Sequence, residues 1–288
     1  MPSTGDIRRR IKSVKNIQQI TKAMKMVAAA RLRKAQEKAL ASKPYTDKII
    51  EVLTNVAQHA SDVSHPLLTV REVNRIGYLI LSADKGLAGA YSSNVIKEAL
   101  PFVSGKDNVG INAVGRKTRD YFKRRGYAID REYTGFSERP GYQDAVRLAQ
   151  EMATAYTSGE YDEIHIVYTR FFSPGHFRPA TMKLLPMDTP RKASDGEADD
   201  NSVETIIFEP SAQEVLELLL PKYLETVIYG TLIQSAASEL GARMMAMSSA
   251  TDNAQDLISK LVLNYNKVRQ ANITREITEI VGGAEALK

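Results

Sequence analysis

From Leu240 to Val268 the positions Leu240, Met244, Met247, Thr251, Ala254, Ile258, Leu261, Tyr265 and Val268 step by 4, 3, 4, 3, 4, 3, 4 and 3 residues. That is a coiled-coil register, because an apolar row repeating every 3.5 residues stays on the seam between two supercoiled helices. No glycine or proline occurs between Gly241 and Gly282, so an uninterrupted helix is expected there. The pattern extends upstream through Leu232, Ile228 and Leu224 to about Ser211, with a kink expected at Pro221. After Val268 the apolar row slips by one residue to Ile273, Ile277 and Ile280, which turns the stripe toward a different neighbour.

The other end of the chain carries a second long helix. Between Gly5 and Pro44 there is no glycine or proline, and Ile7, Ile11, Val14, Ile17, Ile20, Met24, Val27, Leu32 and Ala35 recur every three to five residues. Ser3 or Thr4 can cap it, with Asp6 placed for a capping box and for the positive helix end. A further amphipathic stretch, Tyr45 to Ala60, reads as a continuation through Pro44. At about 1.5 Å per residue, the segment before Pro44 alone is about 60 Å long.

The middle has a different period. GYLILS (77 to 82), NVGINAV (108 to 114), EIHIVYTRFF (163 to 172), TMKLLPM (181 to 187) and ETIIFEP (204 to 210) are short apolar runs. Helical stretches near 91 to 100, 116 to 125 and 141 to 157 lie between them. Strands alternating with helices imply a mostly parallel, Rossmann-like α/β sheet, with the last two strands antiparallel. Residues 189 to 202 are polar and acidic and read as a flexible excursion. The expected organisation is a helix over 1–60, an α/β domain over 61–208 and a helix over 209–288. One compact domain separates the two helices, so they can pair antiparallel. The second is longer by about 20 residues, so its tip should overhang by about 30 Å.

Charge is concentrated at one end. Residues 1 to 58 hold 13 basic and 4 acidic side chains, residues 59 to 208 hold 19 and 20, and residues 209 to 288 hold 7 and 10. A basic, acid-poor start is also the composition of an organelle transit peptide. Here, however, the periodicity runs unbroken past residue 40 and serine is sparse, so the segment reads as part of the fold. Cysteine is absent, which removes disulfides, thiolate nucleophiles and cysteine metal sites and fits a cytosolic compartment. No run of about 18 apolar residues exists, so no direct membrane span is expected.

Catalytic and cofactor signals are weak. ADKGLAGAYSS follows the first strand, but Gly86 and Gly89 fit neither of the glycine-rich phosphate motifs. Gly110 and Gly115 have the spacing of a nucleotide phosphate loop and are followed by Arg116, Lys117 and Thr118, which places the lysine one residue late. On a helix one residue is about 100° of rotation, which aims the ammonium away from the phosphates. His59, His65, His165 and His176 form no metal-ligand spacing, so neither cofactor nor metal is expected. Two other classes stay open. One is a nucleic-acid-binding coiled-coil protein using Arg8, Arg9, Arg10, Lys12 and Lys15, although its helix lacks aromatics and has an apolar stripe needing a partner. The other is an α/β nucleotide-binding enzyme without a recognisable motif, and on balance no nucleic-acid partner is expected.

Three stretches together resemble the ATP synthase gamma chains of bacteria. They are IRRRIKSVKNIQQITKAMKMVAAARLRKAQ, LSADKGLAGAYSSN, and MMAMSSATDNAQDLI with NKVRQANITREITEIVGGAEAL. The resemblance spans essentially the whole chain. It implies a noncatalytic subunit, one copy per complex, lying inside a hexamer of alpha and beta subunits. Its α/β domain would rest beside an epsilon subunit on a membrane c-ring, at the cytoplasmic side of the cell membrane. By position, the resemblance implies contact of Lys22, Met24 and Lys25 with an acidic beta loop. It assigns Arg243, Arg269, Gln270, Thr274, Glu276 and Glu279 to a polar beta loop higher in the ring. Phe208 and Glu209 match the foot that meets the c-ring.

Overall fold

The computed structural model describes residues 3–59, 65–187 and 211–285. In chain order the elements are α1 (Thr4–His59), β1 (Ile76–Leu81), α2 (Tyr91–Val103), β2 (Val109–Val114), α3 (Arg116–Arg124), β3 (Arg131–Tyr133), α4 (Tyr142–Thr157), β4 (Glu163–Ser173), β5 (His176–Leu185) and α5 (Ala212–Glu285). The chain forms two compact units, Ala30–Ala242 and Met1–Ala29 with Arg243–Lys288. Pro44 and Pro221 both lie within continuous helices, so α1 does continue past Pro44.

The larger unit is built on one five-stranded sheet in the order β3-β2-β1-β4-β5. β1 pairs parallel with β2 and β4, β2 pairs parallel with β3, and β5 runs antiparallel to β4. A central parallel strand is covered on both faces, which explains why GYLILS reads as a continuous apolar run. Its side chains alternate between two cores. Leu79 and Leu81 join Val114, Ile164 and Ile166, together with Leu148 and Met152 of α4, Leu53 and Val56 of α1, and Leu220 to Leu232 of α5. Tyr78 and Ile80 face the other way, with Ile111, Val167, Val95 and Ala99 of α2, and Phe122 of α3.

Two expectations need correction and two fall outside the described residues. β3 had no counterpart in the sequence reading. Only Tyr133 of its three residues is buried, and an edge strand that short has no readable alternation. β5 begins at His176, ahead of residue 181, because pairing with β4 holds its polar first half in the sheet. The strand expected at 204 to 210 and the acidic stretch 189 to 202 lie outside the described residues.

Candidate partner interface

The smaller unit is a helix pair. Gln18 Nε2 donates to Gln255 Oε1 at 2.8 Å, Thr251 Oγ1 to Thr21 Oγ1 at 2.8 Å, and Lys25 Nζ to Ser248 Oγ at 3.0 Å. One residue number rises as the other falls, so the helices are antiparallel. Ile7, Thr21 and Ala28 of α1 are buried, as are Met247, Ala254 and Ile258 of α5. The α5 seam therefore follows the 4-3 register read from the sequence. Ser3 and Asp6 close the capping box at the start of α1, with Asp6 N–H donating to Ser3 Oγ at 3.2 Å and Ser3 N–H to Asp6 Oδ2 at 3.2 Å. The Ser3 hydroxyl also donates to Asp6 Oδ2 at 2.8 Å, and this bond, then those from Arg9 and the Ser3 N–H, hold the Asp6 carboxyl below its ordinary pKa.

The α1 seam departs from the sequence reading. Ile17, Ile20 and Val27, expected in the seam, are 50%, 58% and 49% exposed. The seam positions are instead Gln18, Thr21 and Ala28, with Lys25 placed beside them by its bond to Ser248. Ile7, Ile11, Val14, Leu32 and Ala35 all belong to one seven-residue repeat, and keeping its phase through the middle requires positions 18, 21, 25 and 28. The isoleucines sit one residue, about 100°, away. A strict count of sevens from Ile7 would have found them outside the seam.

The paired residue numbers sum to 272 or 273, so Thr4 at the head of α1 is level with residues 268 and 269. Beyond that level α5 continues to Glu285 with no companion among the described residues, a length of about 25 Å. Every residue from 269 to 284 is exposed. Ile273, Ile277, Ile280 and Val281, spaced to share one face, are 48% to 71% exposed. The overhang argued from helix lengths is thus present, though a little shorter than expected.

The residues assigned by resemblance are distributed as follows. Lys22 and Lys25 are exposed on α1 and Met24 is half-buried. Arg269, Gln270, Thr274, Glu276 and Glu279 are exposed on the unaccompanied end of α5, where Arg275 Nε pairs with Glu279 at 2.7 Å. Arg243 is buried. Phe208 and Glu209 lie outside the described residues. The structure thus brings Arg269, Gln270, Thr274, Glu276 and Glu279 together on one helix end and leaves Lys22, Met24 and Lys25 as a separate group farther down the pair.

The Gly110–Gly115 stretch is filled by protein groups. Gly110 is in the middle of the sheet, opposite Gly77 in β1, and the ring of Tyr161 lies over both. The first-turn amides of α3, where a phosphate would bind, are already taken. Arg116 N–H donates to Asp84 Oδ1 at 3.2 Å, Lys117 N–H to Ala83 O at 3.0 Å, and Thr118 N–H to Ser82 Oγ at 2.9 Å. Asp84 also accepts the N–H groups of Gly135 and Ser137 at 2.8 and 3.1 Å. A carboxylate on a helix N-terminus satisfies the same charge and hydrogen-bond demand as a phosphate. No helix among the described residues is long and apolar enough to cross a membrane.

The chain is thus of the class with paired terminal helices and a five-stranded α/β sheet in the stretch of sequence between them. A profile described as ATP synthase matches residues 3–287. The ATP synthase gamma chains of Heliobacterium modesticaldum and Desulfitobacterium hafniense are 49% and 48% identical to this chain, each over the full length of both proteins. A chain in the Euglena gracilis mitochondrial ATP synthase shares the fold, with a TM-score of 0.69 at 20% identity, covering 99% of this chain and 94% of that one. A chain in the Tetrahymena thermophila mitochondrial ATP synthase central stalk and c-ring does so with a TM-score of 0.59 at 21% identity, covering 80% and 99%. The chain belongs to the ATP synthase gamma chain family and is a noncatalytic subunit of that complex.

Proposed function

We infer that this chain is the central shaft of a rotary, proton-translocating ATP synthase. It couples turning of a membrane c-ring to the cycling of three beta catalytic sites, for synthesis or hydrolysis of ATP. One copy lies inside the hexamer of alpha and beta subunits, with an epsilon subunit beside the α/β domain. The complex sits at the cytoplasmic side of the cell membrane, with this chain held there peripherally by the c-ring. The observation that carries the reading is the end of α5, exposed over residues 269 to 284 with an isoleucine face and no companion helix. Helices in proteins gain most of their stability from tertiary packing, so such an end is suited to a socket formed by other chains.

The contact residues follow from the same reading. Lys22 and Lys25, with Met24 between them, meet an acidic beta loop. Coulomb attraction falls slowly with distance, so a basic row can pull on such loops over a range of rotor angles without locking into one. A deformable methionine at the contact suits a surface that meets three equivalent partners in turn. Arg269, Gln270, Thr274, Glu276 and Glu279, with Arg243, serve the polar beta loop higher in the ring. Phe208 and Glu209 form the foot on the c-ring.

Deleting residues 273 to 288 tests this directly. Because α5 beyond Val268 has no companion, the truncated chain should keep the unfolding midpoint of the α/β domain in urea. It should also assemble poorly with alpha and beta subunits, or support hydrolysis without proton pumping in reconstituted vesicles. Full assembly and full pumping by the truncated chain would remove the support for a socketed shaft.

A further inference from the structure

In the larger unit one carboxylate ties together three elements that none of the contacts assigned above uses. Arg31 Nη1 of α1 donates to Glu138 Oε2, and Lys85 Nζ, from the loop after β1, donates to the same oxygen at 3.4 Å. Glu138 itself stands on the loop between β3 and α4, with its side chain 11% exposed. That loop is not free to follow the carboxylate. Asp84 accepts the N–H groups of Gly135 and Ser137, and Asp84 N–H donates to Ser137 Oγ at 2.9 Å. Glu138 is therefore presented to α1 from a support fixed at the residue next to it.

Over this stretch α1 buries few side chains. Leu32 is buried, Ile49 is buried, and no residue from Arg33 to Lys48 is buried between them. Apolar packing at Leu32 resists separation of α1 from its neighbours but resists rotation about the helix axis weakly, because dispersion contacts are short-ranged and non-directional. A charge-assisted bond from a guanidinium to a carboxylate is directional. At Arg31 the hydrogen bond to Glu138 therefore supplies the resistance to turning.

We propose that Glu138 is a positioning residue that clamps α1 against the α/β sheet through Arg31, so that torque delivered to the sheet enters the helix at this point. The proposal rests on the shaft reading above. Lys85 adds a second positive charge at the same carboxylate oxygen, and Asp84 fixes the loop that carries it. A purely structural role would show as lost stability alone, whereas a clamp sets the torsional stiffness of the rotor.

The test uses the assembled complex with the catalytic ring immobilised and a bead attached to the α/β domain. Angular fluctuation of the bead during a catalytic pause reports stiffness. Glu138→Gln and Arg31→Gln should each widen the angular variance, because a directional charge-assisted bond is lost. ATP hydrolysis without load should stay unchanged, while the urea midpoint of the isolated chain falls with the broken pair. The exchanged pair Arg31→Glu with Glu138→Arg should narrow the variance again. Unchanged variance in Glu138→Gln, or an exchanged pair as loose as the single variants, would overturn the clamp while leaving the shaft reading intact. A bead that never turns on the unaltered complex would overturn both.

Discussion

One methyl group added at Gly110 would stand 2.4 Å from the ring of Tyr161 and 2.3 Å from Asp130 Oδ2. The ring cannot retreat toward β1, because a Cβ on the paired Gly77 would be 2.7 Å from it as well. Nor can it swing out freely, since its hydroxyl donates to Asp130 at 2.6 Å and accepts from Asn112 at 3.3 Å. Gly110→Ala should therefore destabilise the chain by about 1–3 kcal/mol through overpacking, read as a lowered urea midpoint. An unchanged midpoint would contradict the tight stacking. In the sequence Gly110 drew notice through its spacing to Gly115, which imitates a phosphate loop. Its actual partner, Tyr161, is 51 residues along the chain, and no local pattern announces a contact made through sheet topology. Asp84 was equally hidden, since a single aspartate after a strand is ordinary until the fold brings the start of α3 and the 135–137 loop to its carboxylate.

At the scale of elements, α1 shows what periodicity can and cannot fix. The seam of α5 was legible because apolar side chains occupy nearly every seam position from Leu240 to Val268. In α1 the apolar side chains of Ile17, Ile20 and Val27 sit beside the seam, and the true positions hold Gln18, Thr21 and Ala28. Hydrophobicity alone then misplaces the row by one residue, while the length, direction and cap of the helix are read correctly. β3 and the start of β5 escaped for a related reason: pairing with a neighbouring strand places them, with little apolar pattern of their own. The seam assignment predicts opposite outcomes for two similar changes. Ala28→Leu should cost about 1–3 kcal/mol, since Ala28 is 2% exposed and a larger side chain overpacks the helix contact. Ile20→Ala, at a position 58% exposed, should change the isolated chain by less than about 0.5 kcal/mol and instead weaken binding to the alpha and beta ring. Equal destabilisation by both in the urea melt of the isolated chain would contradict the register.

Across the whole molecule, charge and covalent chemistry bear on the proposed role. Thirteen of the basic residues, against four acidic ones, fall in the first 58 positions, so long-range attraction to acidic partners is concentrated on α1 rather than spread over the sheet. Much of this scale was readable in advance, because helix length, charge asymmetry and strand alternation are properties of long segments. The contact residues proposed on α5 and at Lys22 to Lys25 came from family resemblance and not from local chemistry, since an exposed arginine or threonine on a helix carries no local mark of its partner. The chain has no cysteine, so one introduced thiol labels it uniquely. Lys106, exposed in the loop between α2 and β2, is a suitable position. With the catalytic ring fixed to a surface and a bead coupled through Lys106→Cys, ATP should turn the bead in one direction, with three pauses in each revolution. Continued ATP hydrolysis by the same complexes with the bead held at a single angle would contradict the account.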